Sequence, residues 1–223
     1  SLHSKLTLAT TVLLFILGAA VFLILEYDNP KTFGSMDAVD TTFQAFFLSA
    51  MTRSGGFNVI EISDLNGSSL VAASMLMFVG GGSAGTAGGI KVTTAAVLVA
   101  AMASEFQGRE ETTAGKRTIP ESVGRQALAL TFAGAVLVTS GVAALRIFDP
   151  AFTGDQIAFE VFSAFGTAGL STGITASLSS PSQVVLCLLM YLGRIGSVTL
   201  VAALASNSVN RRFSYPEERP FIG

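Results

Sequence analysis

Four apolar stretches long enough to matter to a membrane punctuate the chain, and two shorter ones stand between them. Leu6–Leu25 is a run of 20 residues without a charge. At about 1.5 Å per residue it reaches across a hydrocarbon core of roughly 30 Å. Ala127–Leu145 and Gln183–Ala205 have the same character. The fourth stretch, Ser68–Ala103, is 36 residues long, and as one helix it would span about 54 Å, which is too long. It is cut in the middle by Gly80-Gly81-Gly82-Ser83-Ala84-Gly85-Thr86-Ala87-Gly88-Gly89. That run predicts a helix broken into two short pieces. Unwound backbone at membrane depth is tolerated only where protein buries it or where it lines a wet cavity. The two short stretches, Ala38–Met51 and Gln156–Phe165, are too short to cross and fit re-entrant half-helices. Asp40 and Asp155 are the expected N-caps of these half-helices. The pattern predicts an all-α membrane protein: helix, half-helix, loop, helix, and then the same again.

The repetition extends to single residues. Thr52-Arg53-Ser54-Gly55-Gly56-Phe57 follows the first half-helix, and Phe165-Gly166-Thr167-Ala168-Gly169-Leu170 follows the second. Gly56 precedes Gly80 by 24 residues, and Gly169 precedes Gly193 by the same 24. Internal repeats are how membrane transport proteins place several copies of one backbone motif around one pathway. A glycine admits the φ > 0 conformations that turn successive carbonyls the same way. Half-helices entering from one side aim their negative C-terminal ends at the membrane centre, which favours a cation there. A single such loop reads equally well as a tight turn; two with matched spacing read as a pore lining. The expected division is a first unit over 1–107 (helix 6–25, half-helix 38–51, filter loop 52–57, broken helix 68–103), a linker over 108–126, and a second unit over 127–223 (helix 127–145, half-helix 156–165, filter loop 166–171, helix 183–205, tail). Within it, Ser54, Gly55, Gly56, Thr167, Ala168 and Gly169 are the candidate ion-binding positions.

Composition agrees with this reading. Half the residues are hydrophobic and 13% are charged, against roughly 25% in an ordinary soluble domain; the mean hydropathy is +0.62. A net charge of −2 gives no reason to expect nucleic acid as a partner. The one histidine, His3, and the one cysteine, Cys187, leave no cluster for a resident metal, and Cys187 is expected to be buried as a small apolar side chain. The N-terminus lacks an initiator Met and reads as a cut. Charge sidedness sets an orientation. Lys5, Arg109, Lys116, Arg117, Arg125, Arg211, Arg212 and Arg219 fall on one side, with only Lys31 and Arg146 opposite. The positive-inside rule then places 104–126 and the C-terminus in the cytoplasm and both loops toward the outside. Glu26, Asp28, Asp37, Asp40, Glu61, Asp64, Asp149 and Asp155 would make that outer surface acidic and concentrate cations there.

Three basic residues lie at membrane depth. Arg194 sits mid-way along Gln183–Ala205, where an arginine costs about 2.5–3.5 kcal/mol even on lenient scales. It is expected to face a polar interior, since no carboxylate lies within its own helix to pair with it. Lys91 ends the glycine run and is expected to snorkel to the interface in preference to binding loop carbonyls. Arg53 precedes the first loop's glycines and is expected behind the loop as a brace, with Glu160 of the second half-helix as its candidate partner. The glycine run also matches G-x-G-x-x-G, but membrane-length helices flank it instead of a βαβ unit, so it is not read as a nucleotide site. No catalytic cluster lies in any apolar segment, so a membrane enzyme is not expected.

Taken together, these two loops, with Ser171-Thr172-Gly173 after the second, the run Gly80–Lys91 and Gly193-Arg194-Ile195-Gly196 resemble the Trk/Ktr/HKT superfamily of potassium transporters. The tail from Tyr215-Pro216-Glu217-Glu218 to Gly223 is similar to the end of the membrane subunit of bacterial Ktr systems. Ser54-Gly55 stands where that family more often has Thr-Ala. The resemblance covers the third and fourth of the family's four helix–pore–helix repeats, so the first two are expected outside this chain or from a second copy. It implies a K⁺-selective filter with one loop per repeat. The gate would consist of Gly80, Gly81, Gly82, Ser83, Gly85, Gly88, Gly89 and Lys91, with Arg194 as an electrostatic barrier below the filter. It further implies a bacterial inner-membrane location, a homodimer and a docked ring of cytosolic nucleotide-binding regulatory subunits. K⁺ would be the transported ion, and Na⁺ is a candidate coupling ion. The rival reading is a non-conducting membrane scaffold that docks a cytosolic partner.

Overall fold

The computed structural model describes residues 2–82, 85, 87–109, 111–115 and 117–206. Ser83 of the expected gate, Lys116 of the linker and the tail basic residues Arg211, Arg212 and Arg219 therefore lie outside the described residues. The described residues form seven α-helices: α1 (Leu2–Glu26), α2 (Ala38–Met51), α3 (Gly67–Phe78), α4 (Val92–Phe106), α5 (Glu121–Phe148), α6 (Gly154–Gly166) and α7 (Ser180–Ser206). A small hairpin, β1 (Thr113–Ala114) paired antiparallel with β2 (Arg117–Thr118), joins α4 to α5. Among the described residues, α1 and α5 are long and apolar enough to cross a membrane, with mean hydropathies of 2.7 and 2.0.

Two of the helices, α2 and α6, start where a backbone donor finds a polar side chain, which is not where hydrophobicity begins. Asp37 caps α2, its carboxylate accepting from the Asp40 N–H at 2.8 Å. Thr153 caps α6 in a capping box, its N–H donating to Gln156 Oε1 at 3.3 Å. The expected caps Asp40 and Asp155 thus stand inside, in the first turns of their helices. An acidic side chain there still complements the positive end of the helix.

Two apolar clusters meet at α6. One joins Phe22 of α1, Leu48 of α2 and Met77 of α3 to Phe159 of α6. The other joins Val138 and Leu145 of α5, Val161 and Phe165 of α6, and Leu186 and Leu189 of α7. The short helix α6 is consequently packed on all sides, against α3, α5 and α7, whereas α2 packs on α1. On its other side α2 leaves Val39 and Phe43 exposed.

Polar side chains tie the helix ends together in both halves. Glu26 closes α1 and is fully buried. It accepts from Asn29 Nδ2 at 2.6 Å, from Thr32 Oγ1 at 2.7 Å and from the Asn66 N–H that caps α3 at 2.9 Å. Glu26 therefore does not belong to the acidic outer surface expected of it: a buried carboxylate is stable only with such donors. Asp149 does the same at the end of α5, accepting from the N–H and hydroxyl of Ser179 before α7. The Ser182 hydroxyl first, and Ser179 after it, hold the Asp149 carboxyl below the usual carboxylate range. Cys187, expected inside, is exposed on α7, because the inward-facing positions of that turn go to Leu186 and Leu189.

Candidate functional site

The two loops that follow the half-helices meet. Ser54 and Thr167, 113 residues apart, face one another: Ser54 Oγ donates to the Thr167 carbonyl at 2.8 Å and lies 3.2 Å from Thr167 Oγ1. Among the described residues these two are the non-glycine positions with positive φ, at 65° and 48°. Holding an L-residue in that region costs about 1–3 kcal/mol and persists only where surrounding structure enforces it. Gly56 and Gly169 follow at φ 71° and 87°. A Cβ on Gly169 would stand 3.1 Å from the Gly56 Cα, and one on Gly56 would stand 3.1 Å from the Ala168 carbonyl oxygen. Backbone therefore meets backbone here, and both loops offer carbonyl and hydroxyl oxygens without a carboxylate. Gly55 packs on Met51, and Ala168 is buried.

The second loop is braced by its own half-helix. Glu160 is 4% exposed, and it accepts from Ser171 Oγ (2.7 Å), Thr172 N–H (2.8 Å), Thr172 Oγ1 (3.0 Å) and Thr175 Oγ1 (2.8 Å). Ser163 Oγ donates to the Leu170 carbonyl. Four donors on one carboxylate fix the segment leaving the loop. The expected Arg53–Glu160 pair does not form; the two ion pairs among the described residues are Lys31–Asp64 and Arg125–Glu121, both at the surface. The Arg53 guanidinium nitrogens are buried without a hydrogen-bond partner among the described residues. The 113-residue offset places Phe47 where Glu160 stands, so the first loop has no such carboxylate.

Beneath the loops lies the glycine-rich segment, where the helix breaks. α3 ends at Phe78 and α4 begins at Val92. The segment between closes on itself: Gly80 N–H donates to the Ile90 carbonyl (2.8 Å), Ile90 N–H to that of Phe78 (3.0 Å) and Val92 N–H to that of Gly81 (3.2 Å). Such bonds satisfy the main chain where water is scarce. Among the described residues, three contacts hold this strap in place. Gly88 N–H donates to Thr167 Oγ1 at 2.8 Å, and Gly89 N–H donates to the Gly193 carbonyl of α7 at 3.2 Å. Lys91, 9% exposed, turns inward and donates from Nζ to the carbonyls of Ala87 (2.5 Å) and Gly85 (3.5 Å). Lys91 therefore binds the loop, contrary to the expectation that it snorkels; two carbonyls within reach of a buried ammonium outweigh a distant interface. Gly82 and Gly81 complete the strap.

Arg194 follows the carbonyl that receives Gly89 and is exposed, with no ion pair among the described residues. Gly193 is required at that crossing, since any Cβ there would run into the Phe165 carbonyl of α6. A cavity of about 780 Å³ opens below the strap, lined by Lys91, Thr94, Phe165 and Gly193 together with apolar positions of α1 and α5.

The family described as TrkH, cation transport protein, matches residues 4–212. Ktr system potassium uptake protein B of Bacillus subtilis (strain 168) is 36% identical over 224 residues, covering 100% of this chain and 50% of that protein. The potassium/sodium uptake protein NtpJ of Enterococcus hirae is 36% identical over 228 residues, again covering 100% of this chain and 50% of the relative. The crystal structure of the potassium transporter TrkH from Vibrio parahaemolyticus superposes with a TM-score of 0.68 at 19% identity, over 93% of this chain and 44% of that one. The chain thus spans about half the length of these relatives.

Proposed function

The chain belongs to the TrkH family of cation transport proteins, and from that membership we propose that it supplies two of the filter loops through which K⁺ crosses the membrane. The observation that carries this reading is the meeting of Ser54–Gly56 with Thr167–Gly169 above a glycine strap. Carbonyl oxygens on backbone held by strain and by Glu160 replace the hydration shell of a monovalent cation without the deep well that carboxylates would make. The strap Gly80–Gly89 is the gate, held shut by Lys91, and Arg194 is the fixed positive barrier below it. Two units occur here, each a helix, a half-helix with its loop, and a further helix. Support for that division lies in the matched positions, such as the capping of Asn66 by Glu26 and of Ser179 by Asp149.

Two further loops complete the filter, from the half of the protein that the relatives have beyond this span or from a second copy. The buried, unpaired Arg53 is a group whose acceptors those loops would supply. Filter loops face outward and the hairpin between α4 and α5 faces the cytoplasm. Charge sidedness supports that orientation, and the resemblance to Ktr membrane subunits supports a homodimer carrying a cytosolic nucleotide-binding ring. Na⁺ is the candidate coupling ion, as the name of one relative suggests.

Ion flux into liposomes containing the complete protein tests the reading. K⁺ uptake above that of Na⁺, rising further in Arg194→Ala with unchanged K⁺/Na⁺ preference, is the expected result. Absence of flux would leave a membrane scaffold, and lost preference in Arg194→Ala would move that arginine to the filter itself.

A further inference from the structure

A directed chain of hydrogen bonds runs from the gate segment to a filter oxygen. Gly88 N–H donates to Thr167 Oγ1 at 2.8 Å. Ser54 has one hydroxyl proton and spends it on the Thr167 carbonyl at 2.8 Å. The Thr167 hydroxyl is then the donor across its 3.2 Å contact with Ser54 Oγ. The chain reads Gly88 N–H to Thr167 Oγ1–H to Ser54 Oγ–H to the Thr167 carbonyl. The strap is pressed onto this residue: a Cβ on Gly88 would stand 2.7 Å from both Thr167 Cγ2 and Thr167 Oγ1. Its other two anchors behave differently. Gly89 binds a main-chain carbonyl of α7, and Lys91 binds carbonyls within the strap itself. Among the described residues, Thr167 is thus the side chain that connects strap to filter.

We infer that Thr167 is a positioning residue for the gate, its hydroxyl together with that of Ser54 linking the position of the strap to occupancy of the Thr167 carbonyl. This rests on the transport reading above. With the strap closed, a protein hydroxyl occupies the carbonyl that would otherwise face the ion. An ion settling on that oxygen displaces the Ser54 proton, breaks the chain and weakens the hold on Gly88. The coupling is reciprocal, because two events that share one equilibrium shift each other by the same free energy. K⁺ in the filter therefore favours an open strap, and a closed strap disfavours K⁺ on this oxygen.

The test places a reporter in the strap of the complete protein. Ala87→Cys, in a Cys187→Ser background, is labelled with a water-soluble maleimide from the cytoplasmic side, in K⁺ and in Na⁺. The parent should label faster in K⁺. Thr167→Val, of the same shape without the hydroxyl, should label about fivefold faster than the parent in Na⁺ and lose its response to K⁺, as expected for one neutral hydrogen bond. Thr167→Ser should restore both the slow rate and the response. Ser54→Ala breaks the chain permanently but keeps the direct Gly88–Thr167 bond, so in Na⁺ it should label faster than the parent yet slower than Thr167→Val, and it should lose the response to K⁺; it decides the matter if Thr167→Val fails to fold. Slow, K⁺-responsive labelling in Thr167→Val, or an undiminished response in Ser54→Ala, would overturn the inference. If the parent carries no K⁺, the transport reading falls on flux alone. The comparison of Thr167→Val with Thr167→Ser in Na⁺ then still decides whether the hydroxyl holds the strap.

Discussion

Gly169 shows how a backbone requirement becomes visible in a sequence. Its φ of 87° and the 3.1 Å approach of its missing Cβ to Gly56 leave glycine as the residue that fits. A demand of that kind is written directly in residue type, so the paired glycines were legible from spacing. The hydroxyls of Ser54 and Thr167 were not, because serine and threonine satisfy many unrelated needs and nothing local marks a partner 113 residues away. The expected Arg53–Glu160 pair failed for a similar reason. Opposite charge suggests a partner, but the run Ser171, Thr172 and Thr175 lies nearer to Glu160 and supplies four donors; that polar run directly after the loop was the available signal. On the filter reading, Gly169→Ser forces a Cβ and a hydroxyl into the carbonyl site. K⁺ affinity should fall and Na⁺ should compete, measured as Na⁺ inhibition of K⁺ uptake. Unchanged discrimination in a folded variant would take Gly169 out of the filter.

The broken helix works as an element because its ends are rigid and its middle has few side chains. α3 and α4 are helical to within a residue or two of the strap, which then depends on a handful of hydrogen bonds. Low side-chain content makes such a segment easy to shift. The glycine run announced the break, since ten residues so rich in glycine do not hold a helix. The direction of Lys91 was not legible, because a lysine at a helix start can turn either way until the loop's path is known. Its ammonium gives the strap charge-assisted bonds, and losing one of about 1.5–3 kcal/mol would shift a closed–open balance by roughly tenfold or more. Lys91→Met should therefore raise K⁺ flux while K⁺/Na⁺ preference stays that of the parent. A drop in flux with an intact fold would make Lys91 a structural support and move the gate elsewhere.

Across the described residues the two short helices α2 and α6 are unequal in surroundings. The helical, membrane-type architecture was legible because apolar run length is a property of the chain itself. Which half-helix sits at the centre was not, because it depends on packing between distant segments: α6 is enclosed by α3, α5 and α7, while α2 keeps an apolar flank with Phe43 exposed. Sidedness is an expectation of charge, and cysteines test it. Asp28→Cys and Glu105→Cys, each in a Cys187→Ser background, should react with an impermeant reagent from opposite faces, Glu105 from the cytoplasm. Reaction from one face would remove the two-unit topology. The enclosure of α6 also bears on how the protein is made. At 13 residues, with Asp155, Gln156 and Glu160 along it, this helix is too short for lipid alone to retain. Of its partners, α3 and α5 precede it in the chain, but α7 leaves the ribosome only afterwards. A nascent chain halted just beyond α6 would hold the half-helix loosely at the membrane surface, and its descent into the bilayer would wait for translation of α7.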